Sequence, residues 1–430
     1  MRRRFKVIFI GLLLIPFSIF GQNYINTPYS RYGIGDLMNT GLSYNRSLGG
    51  SSIALRPLNQ VNYLSPASYT SQDTMSFLFQ AGIAARSSLL VTDIDEDRTN
   101  NSNIEYLLIG FPISKWWKFS AGIVPYSRIQ YLFREYPEIT DDIIVIDYKG
   151  DGGFNEFYFG TAFEINDYIS VGINAGYLFG KLDKRREIYL PEITAASTIV
   201  NEKFIASDFY YRFGIQAYKI FWEKHQFIFG LTYDTKTKID IKQQSFEGRN
   251  FPYGYNPGIF VDTFNVVTDS VMQLQMPAKI GIGLSYVLNE QVLMTLEYSQ
   301  QKFKKAFDKN EFKNIADYSS LRFGAEFTPV PITNRQRASY IERMHYRIGA
   351  HYTNTYIKFN NTQITDYGIS VGLGLPWRNP KKLYTYSNFN LTYEYGIRGT
   401  TENQLIKEKY HIITIGFTLH DFWFHKPKYD

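Results

Sequence analysis

The most constraining feature of the sequence is the two-residue alternation of its last segment, Tyr410 to Phe424. Apolar side chains lie on one face and small or polar side chains on the other, which is typical of a β-strand between lipid and a polar interior. Such a strand cannot leave its edge unpaired in lipid, so the pattern predicts a closed barrel in which it pairs with the strand containing Phe77. The apolar face comprises Ile413, Ile415, Phe417 and Leu419, and the other face comprises Thr414, Gly416, Thr418 and His420.

The same alternation recurs along the chain, in segments at least as long as a tilted membrane strand. Short and long connections alternate, as they do in bacterial outer-membrane barrels, and the predicted long loops include residues 93–103, 135–153 and 188–202. A soluble β-sandwich also alternates, but its outward face is polar, whereas here the polar face is the one rich in glycine. We therefore predict an all-β fold, a transmembrane antiparallel β-barrel of about fourteen strands with an N-terminal lumenal plug. The segments are residues 74–92, 103–113, 116–133, 153–166, 168–187, 203–222, 225–245, 268–288, 290–304, 316–329, 341–358, 363–376, 382–399 and 408–424.

The first residues have the composition of a secretory signal peptide. Basic residues precede an apolar run from Val7 to Phe20, and the small residue Gly21 follows it. A membrane anchor is the alternative, but the run is short for a spanning helix. We expect a signal peptide at residues 1–22, a plug at 23–72 and a barrel at 73–430, in the bacterial outer membrane.

Residues 23–72 show little alternation, yet they combine many glycines and prolines with apolar side chains such as Leu48 and Val61. Irregular backbone cannot face lipid, so the lumen is its natural place. A disordered periplasmic tail is the alternative, and the apolar content argues against it. The candidate plug residues are Arg31, Tyr32, Arg46, Ser65 and Pro66.

Glycines and charged residues occupy the inward positions of the predicted strands. A glycine in a strand usually marks the close approach of another part of the structure, and a plug would provide it. The charged side chains either form a salt-bridged wall that holds the plug or line a path for a solute or a polar head group. We expect Arg31 or Arg46 to meet Glu297 or Glu394. The lumen-lining candidates are Arg212, Glu297, Arg322, Glu326, Arg347, His351 and Glu394.

The composition excludes several function classes. The sequence has no Cys, which removes disulfides, thiol nucleophiles and Cys-based metal sites. Of its 46 Lys and Arg residues, four lie in the signal peptide, which leaves 42 against 40 Asp and Glu, so no nucleic-acid partner is predicted. His345 and His351 share a predicted strand, and no serine signature lies opposite them. We predict no enzyme activity, catalytic residues, metal site or cofactor.

Three stretches resemble the FadL/TodX family of outer-membrane transporters for long-chain fatty acids and other hydrophobic compounds. Arg46 to Leu55, followed by Asn62 to Ser68, resembles the passage from plug to barrel. Trp117 to Tyr126 resembles the third strand, and Met276 to Tyr298 resembles the eighth and ninth strands. The family usually has Asn-Pro-Ala-Gly after its plug, whereas this chain has Ser-Pro-Ala-Ser at positions 65–68.

The resemblance implies passive uptake of hydrophobic compounds such as long-chain fatty acids, without an energy source or cofactor. A solute would be caught by extracellular loops, enter the lumen and leave sideways into the bilayer through a gap at the third strand. The expected partners are outer-membrane lipid, lipopolysaccharide and the hydrophobic solute. The capture candidates are Phe251, Tyr253, Tyr255 and Phe260, for which packing within the loop is the alternative.

Pro125 marks the expected exit in the third strand. Proline has no N–H to donate, so one rung of the sheet should be lost there. Gly122 lies close by, and Tyr126 is expected to face the lumen beside the opening. A local bulge that merely bends the strand is the alternative.

A second function remains open. A barrel of this kind can be a structural subunit of an outer-membrane secretion or protein-insertion complex and transport nothing. The altered plug motif at Ser65 and Ser68 and the charged lumen leave room for this role, so partner proteins are possible.

Overall fold

The computed structural model describes residues 27–38, 40–74, 76–137, 144–189, 197–250, 262–307, 314–330, 338–359, 361–377 and 387–422. The signal peptide predicted at residues 1–22 lies outside them. The four capture candidates, Phe251, Tyr253, Tyr255 and Phe260, also lie outside the described residues.

The described chain is almost entirely β-strand. The strands are β1 (Asp36–Leu37), β2 (Ser76–Val91), β3 (Glu96–Pro112), β4 (Trp117–Glu135), β5 (Val145–Asn166), β6 (Ile169–Tyr189), β7 (Ser197–Phe221), β8 (His225–Asp234), β9 (Thr237–Asn250), β10 (Asp262–Met276), β11 (Lys279–Leu288), β12 (Val292–Gln301), β13 (Tyr318–Phe327), β14 (His345–Phe359), β15 (Thr362–Trp377), β16 (Ser387–Arg398) and β17 (Lys407–Phe422). Two short helices, α1 (Ser43–Ser47) and α2 (Phe303–Phe307), accompany 3₁₀ turns at Pro28–Arg31, Pro66–Ser71, Ile341–Arg343 and Glu402–Gln404. None of the described helices is long and apolar enough to cross a membrane.

The strands close into an antiparallel barrel. β17 pairs with β2, with Asp421 opposite Phe77, as the sequence predicted. β8 and β9 together form one barrel strand, because both pair with β7. β10 and β11 together form the next barrel strand, because β10 pairs with β9 and β11 pairs with β8. With β1 set apart, the seventeen strands therefore make fourteen barrel strands, which confirms the predicted fold class.

The alternation of side chains explains how the barrel meets lipid. On β11, Ile280, Ile282 and Leu284 are exposed on the outer face, whereas Gly281 and Gly283 face the lumen. A wall with apolar residues outside and small residues inside suits a bilayer. Aromatic side chains gather near the short turns, where Trp116, Trp117 and Phe163 stack on one another, as in the aromatic belts of membrane interfaces.

Several strands are longer than predicted, so three of the predicted long loops are largely strand. Residues 93–103, 135–153 and 188–202 were predicted as loops, but β3 begins at Glu96, β5 at Val145 and β7 at Ser197. β7 alone has 25 residues. These extensions are polar and pair with each other beyond the apolar band of the wall. They were predicted as loops because a polar strand shows no alternation of apolar and polar side chains.

The described part of residues 27–72, which we call the N-terminal segment, lies against the inward face of the barrel. Gly349 packs on the backbone of Gly49, and a Cβ at Gly172 would lie 2.5 Å from the carbonyl carbon of Pro66. A larger residue at either position would displace the segment, so inward glycines mark its path. The segment also contacts Gly160, Gly214, Gly230, Gly281, Gly283, Gly324 and Gly372, whereas Gly176 and Gly396 face Tyr210 and Tyr410.

We predict that Gly349→Leu dislodges the N-terminal segment. Leucine there overlaps the backbone of Gly49, which should cost about 1–3 kcal/mol of unfolding free energy. Thermal unfolding should shift down and protease should cleave within residues 27–72. Ala350→Leu is the matched control, because it adds the same side chain one residue further, on the outer face. Equal protease resistance of the two variants would contradict this placement.

Candidate functional site: the lumen and a seam in the wall

A buried carboxylate on β12 anchors the N-terminal segment to the wall. Glu297 accepts backbone hydrogen bonds from Ser52, at 2.6 Å, and from Ile53, at 2.9 Å. Arg322 on the neighbouring β13 pairs with Glu297 at 3.3 Å and donates to the carbonyl oxygen of Gly50 at 2.9 Å. The two wall charges compensate each other and jointly bind the backbone of residues 50–53.

Two further ion pairs of the wall hold other parts of the segment. Arg347 pairs with Glu326 at 2.6 Å, and its guanidinium lies 4.6 Å from the ring centre of Tyr44. Arg212 pairs with Asp234 at 2.9 Å and donates to the carbonyl oxygen of Tyr63 at 3.4 Å. The predicted salt-bridged wall therefore describes most of the inward charges.

The base of the segment is held by hydrogen bonds and close packing. Ser65 donates to the carbonyl oxygen of Ile53 at 2.9 Å, and Pro66 packs on Gly172 and Gly214. Arg56 donates to Ser170 at 2.9 Å and lies over the ring of Tyr218. Burial lowers the pKa of the Arg56 guanidinium from its usual value.

The other candidate plug residues lie toward the far end of the lumen, opposite the short turns. Arg31 stacks over the ring of Tyr148 at 4.0 Å, and none of the ion pairs in the described chain involves it. Tyr32 packs edge-on against Phe359 at 4.4 Å. The expected pairing with a lumenal acid is therefore made by Arg46, and Arg31 does not contribute to it.

Arg46 lies in α1 and reaches two carboxylates at long distances. It is 3.5 Å from Glu394 on β16, a pairing expected from the sequence, and 3.4 Å from Glu105 on β3. Glu105 is also paired with Arg128 of β4 at 3.2 Å. A single carboxylate therefore lies between two guanidinium groups.

The wall is not paired throughout. β3 and β4 pair only from Pro112 opposite Lys118 to Leu107 opposite Ile123. Beyond that point, residues 96–106 of β3 pair only with β2. Residues 124–135 of β4 pair with β5 and, at two positions, with β1. We call the gap between these two stretches the lateral seam.

The seam begins beside the predicted kink residues. The register of β4 against β5 shifts between Pro125 and Ser127, so that Tyr126 is an extra residue in the strand. The Tyr126 ring packs against Tyr210, with ring centres 6.0 Å apart, and Gly122 lies in the last paired stretch below. The sequence predicted the loss of a single backbone pair at Pro125. The structure shows a larger loss, because β4 makes no backbone pairs with β3 from residue 124 to residue 135.

The N-terminal segment takes the place of β3 along this edge of β4. The backbone N–H of Met38 donates to Tyr126 at 2.9 Å, and that of Thr27 donates to Gln130 at 3.2 Å. β1 pairs with β4 through Asp36 opposite Arg128. The freed backbone groups of β4 are thereby partly satisfied from inside the barrel.

Side chains bridge the seam where the backbones do not. Asn101 of β3 donates to Gln130 of β4 at 2.9 Å. Arg128 donates to the carbonyl oxygen of Ile104 at 3.0 Å, besides its ion pair with Glu105. The margins of the seam are therefore polar.

Two cavities that share part of their lining lie behind the seam. One includes His351, Asp366 and Tyr410 in its lining. The other is lined by residues of both seam margins, among them Glu105 and Arg128. Both cavities are lined by Asp36, Met38, Arg46, Arg86 and Ile412.

Apolar side chains pack across the far end of the lumen. Tyr29 and Ile34 of the N-terminal segment join Phe303 of α2, Tyr356 of β14 and Ile364 of β15 in one buried cluster. Burial raises the pKa of Tyr29 to about 12. The cavities are therefore bordered by an apolar cluster at this end and by the seam at the side.

Sequence reasoning missed Glu105, although it lines the seam. A register shift between β2 and β3 at Gly82 and Ile83 changes the alternation, so that Glu105 and Tyr106 are both buried. A strict two-residue period cannot predict that arrangement. Within the described residues, no group of three or more His, Asp or Glu side chains is arranged to hold a metal ion.

Comparison with known proteins gave one family and many similar folds. The family model BamG matches residues 1–430. No curated protein matches the chain.

Several solved channels and transporters share the fold. The CymD monoaromatic hydrocarbon channel has a TM-score of 0.58 at 12% identity, over 90% of this chain and 100% of that one. The Ralstonia pickettii toluene transporter TbuX has a TM-score of 0.56 at 13% identity, over 89% of this chain and 99% of that one. A Pseudomonas aeruginosa FadL homologue has a TM-score of 0.56 at 11% identity, over 91% of this chain and 100% of that one. The resemblance to the FadL/TodX family is confirmed at the level of the fold.

We predict that Glu297→Gln destabilises the barrel by about 3–5 kcal/mol, because it leaves Arg322 buried without its carboxylate. The double variant with Arg322→Gln should recover part of that loss. Thermal unfolding of the reconstituted protein measures both. Asp147→Asn is the control, because its partner Arg134 is half exposed and such pairs contribute about 1 kcal/mol at most. Equal unfolding temperatures for Glu297→Gln and Asp147→Asn would contradict the anchoring role.

Proposed function

This chain belongs to the BamG family, and we propose that it works in the outer membrane as a passive channel for hydrophobic compounds that leave the barrel through the lateral seam. The observation that carries this proposal is the missing pairing between residues 96–106 of β3 and 124–135 of β4. An unpaired strand edge is costly in lipid, so the presence of such an edge in this wall favours a function for the opening.

Each part of the chain has a role in the proposed path of the solute from the outside to the bilayer. Residues 23–72 act as the plug behind a cleaved signal peptide at 1–22, and residues 73–430 form the barrel. Pro125, Tyr126 and Gly122 border the exit, where the register of β4 shifts. The aromatic loop around Phe251 would capture the solute outside.

The lining restricts the solutes that suit this path. Glu105, Arg128, Asn101 and Gln130 make the seam polar. A purely apolar molecule gains nothing from these groups, whereas a solute with one polar end can leave that end among them while its chain enters the bilayer. A long-chain fatty acid has this form.

The apolar cluster around Tyr29 and Phe303 lies across the far end of the lumen. A solute from outside must displace part of this cluster before it reaches the cavities. Cluster and N-terminal segment therefore move together in the proposed cycle, since Tyr29 and Ile34 belong to both.

Closing the seam covalently tests the exit. The chain has no Cys, so Asn101→Cys with Gln130→Cys gives two thiols that a short bifunctional reagent can join across the gap. We expect cross-linking to slow uptake of a long-chain fatty acid into proteoliposomes several-fold, because the strands can no longer separate.

The control joins Leu107→Cys to Ile123→Cys, which lie opposite each other where β3 and β4 are already paired. Cross-linking this pair should leave uptake unchanged. Unchanged uptake after closure of the 101–130 pair would remove the seam as the exit.

A second candidate function is a non-transporting subunit of an outer-membrane secretion or protein-insertion complex. The family name BamG favours it. The polar cavities and the many contacts that fix the N-terminal segment also suit a barrel that carries no hydrophobic solute.

Affinity purification from native membranes in mild detergent distinguishes the two functions. A structural subunit should bring down a stoichiometric partner, whereas an unrelated barrel with the same tag should not. Recovery of the isolated barrel, with uptake activity in proteoliposomes, would exclude the subunit role.

A further inference from the structure

The outer face of the barrel changes from aromatic to charged within a few residues of β6 and β7. Tyr177 lies opposite Phe209 on this face, with the ring centres 4.9 Å apart. Further from the short turns, Lys181 lies at the next position but one along β6, and Asp183 then lies opposite Lys203. Aromatic belts lie at the level of lipid head groups, so these lysines lie at or just above that level.

The neighbouring strand continues the charged face. Lys236, in the break between β8 and β9, and Lys238 and Lys242 of β9 are exposed, whereas the residues between them line the lumen side. Lys242 lies opposite Ile205 of β7, which in turn lies opposite Lys181 of β6. We call this surface the basic face, and it comprises Lys181, Lys203, Lys236, Lys238 and Lys242.

The carboxylates on this surface do not balance its lysines. Asp183 pairs with Lys181 at 3.0 Å, and Asp240 accepts a hydrogen bond from Gln273 at 3.1 Å. Among the described residues, none of the ion pairs involves Lys203 or the lysines at 236, 238 and 242. Five lysines therefore share two described carboxylates, an excess of three positive charges.

The other acids of β7 point to the lumen and leave this excess in place. Glu202 lies opposite Lys184, whose Nζ donates to the carbonyl oxygen of Arg31 inside the barrel at 3.0 Å. Asp208 lines a pocket together with Tyr126. The wall itself therefore separates these carboxylates from the basic face.

The positive charge is a local feature of the wall. On the outer face of β13 and β14, Leu321 lies opposite Tyr352, and the next outward pair is Ser319 opposite Asn354. That pair is uncharged at the position where β6 and β7 become charged. The basic face is therefore a distinct surface, separated from the lateral seam by β5 and β6.

We propose that the basic face binds the phosphate groups of lipopolysaccharide in the outer leaflet, with the acyl chains lying against Tyr177 and Phe209. Lysine is a compact positive charge on a flexible stem, which suits a phosphate held in the head-group layer. The lysines project outward, so the ligand needs no cavity in the protein. The proposal shares with the proposed function only the placement of the barrel in the outer membrane, and it requires no transported solute.

Lipid retention by the full-length barrel tests the proposal. The detergent-solubilised protein is mixed with lipid A that carries two phosphate groups, and bound lipid is measured by native mass spectrometry. The combined variant Lys236→Gln, Lys238→Gln and Lys242→Gln should retain at least about tenfold less, since each lysine near an anionic surface contributes about fivefold. Higher salt should weaken retention by the wild type, because exposed charges are screened.

The matched control removes three exposed lysines from the opposite end of the wall, near the short turns. Lys115→Gln, Lys219→Gln and Lys224→Gln combined change the net charge by the same amount and should retain lipid A as the wild type does. Arginine at 236, 238 and 242 keeps the charge and should preserve retention. Thermal unfolding of every variant checks that the barrel is intact.

Three results would overturn the proposal. The first is equal retention by the wild type and the glutamine variant at 236, 238 and 242. The second is equal retention of lipid A from which both phosphates have been removed, and the third is displacement of lipid A by an equal concentration of inorganic phosphate, which would assign the surface to soluble anions. None of these results depends on an uptake assay or on the seam, so failure here is distinguishable from failure of the proposed channel function.

Discussion

The structure depends on the pairing of backbone groups in a medium that has no water to replace them. The chain meets this requirement by closing β17 onto β2 and by keeping regular pairs around most of the wall. Along the lateral seam it uses a different solution, in which β1 and the residues around it bind the free edge of β4 from inside. The N-terminal segment is therefore part of the wall as well as a filling of the lumen.

The buried charges position this segment more than they stabilise the barrel. An ion pair that leaves water loses solvation on both partners, and the attraction between them offsets that loss only when the geometry is good. Glu297 achieves good geometry by accepting two backbone hydrogen bonds besides its contact with Arg322. Arg46 does not, because its contacts with Glu105 and Glu394 are longer and its Nε has no partner among the described residues. The same lumen thus contains well-satisfied anchors beside a less well satisfied one.

Most of the fold could be predicted from the alternation of apolar and polar side chains, because every second residue of a barrel strand faces lipid. The number of barrel strands, their closure and the inward glycines followed from it. It could not predict the seam, since residues 96–106 were assigned largely to a loop and one proline indicated only one lost rung. It also missed the breaks after Asp234 and Met276, where one barrel strand is divided into two. Those features depend on register shifts between neighbouring strands, which a single sequence does not encode locally.

The most direct test of this account is amide hydrogen exchange along β4 in lipid nanodiscs. Residues 118–123 pair on both sides, whereas residues 124–135 pair with β5 and only briefly with the N-terminal segment. We predict slow exchange in the first stretch and much faster exchange in the second, with β5 protected throughout. Uniform protection along β4 would show that the wall is closed and would contradict the seam on which the proposed channel function rests.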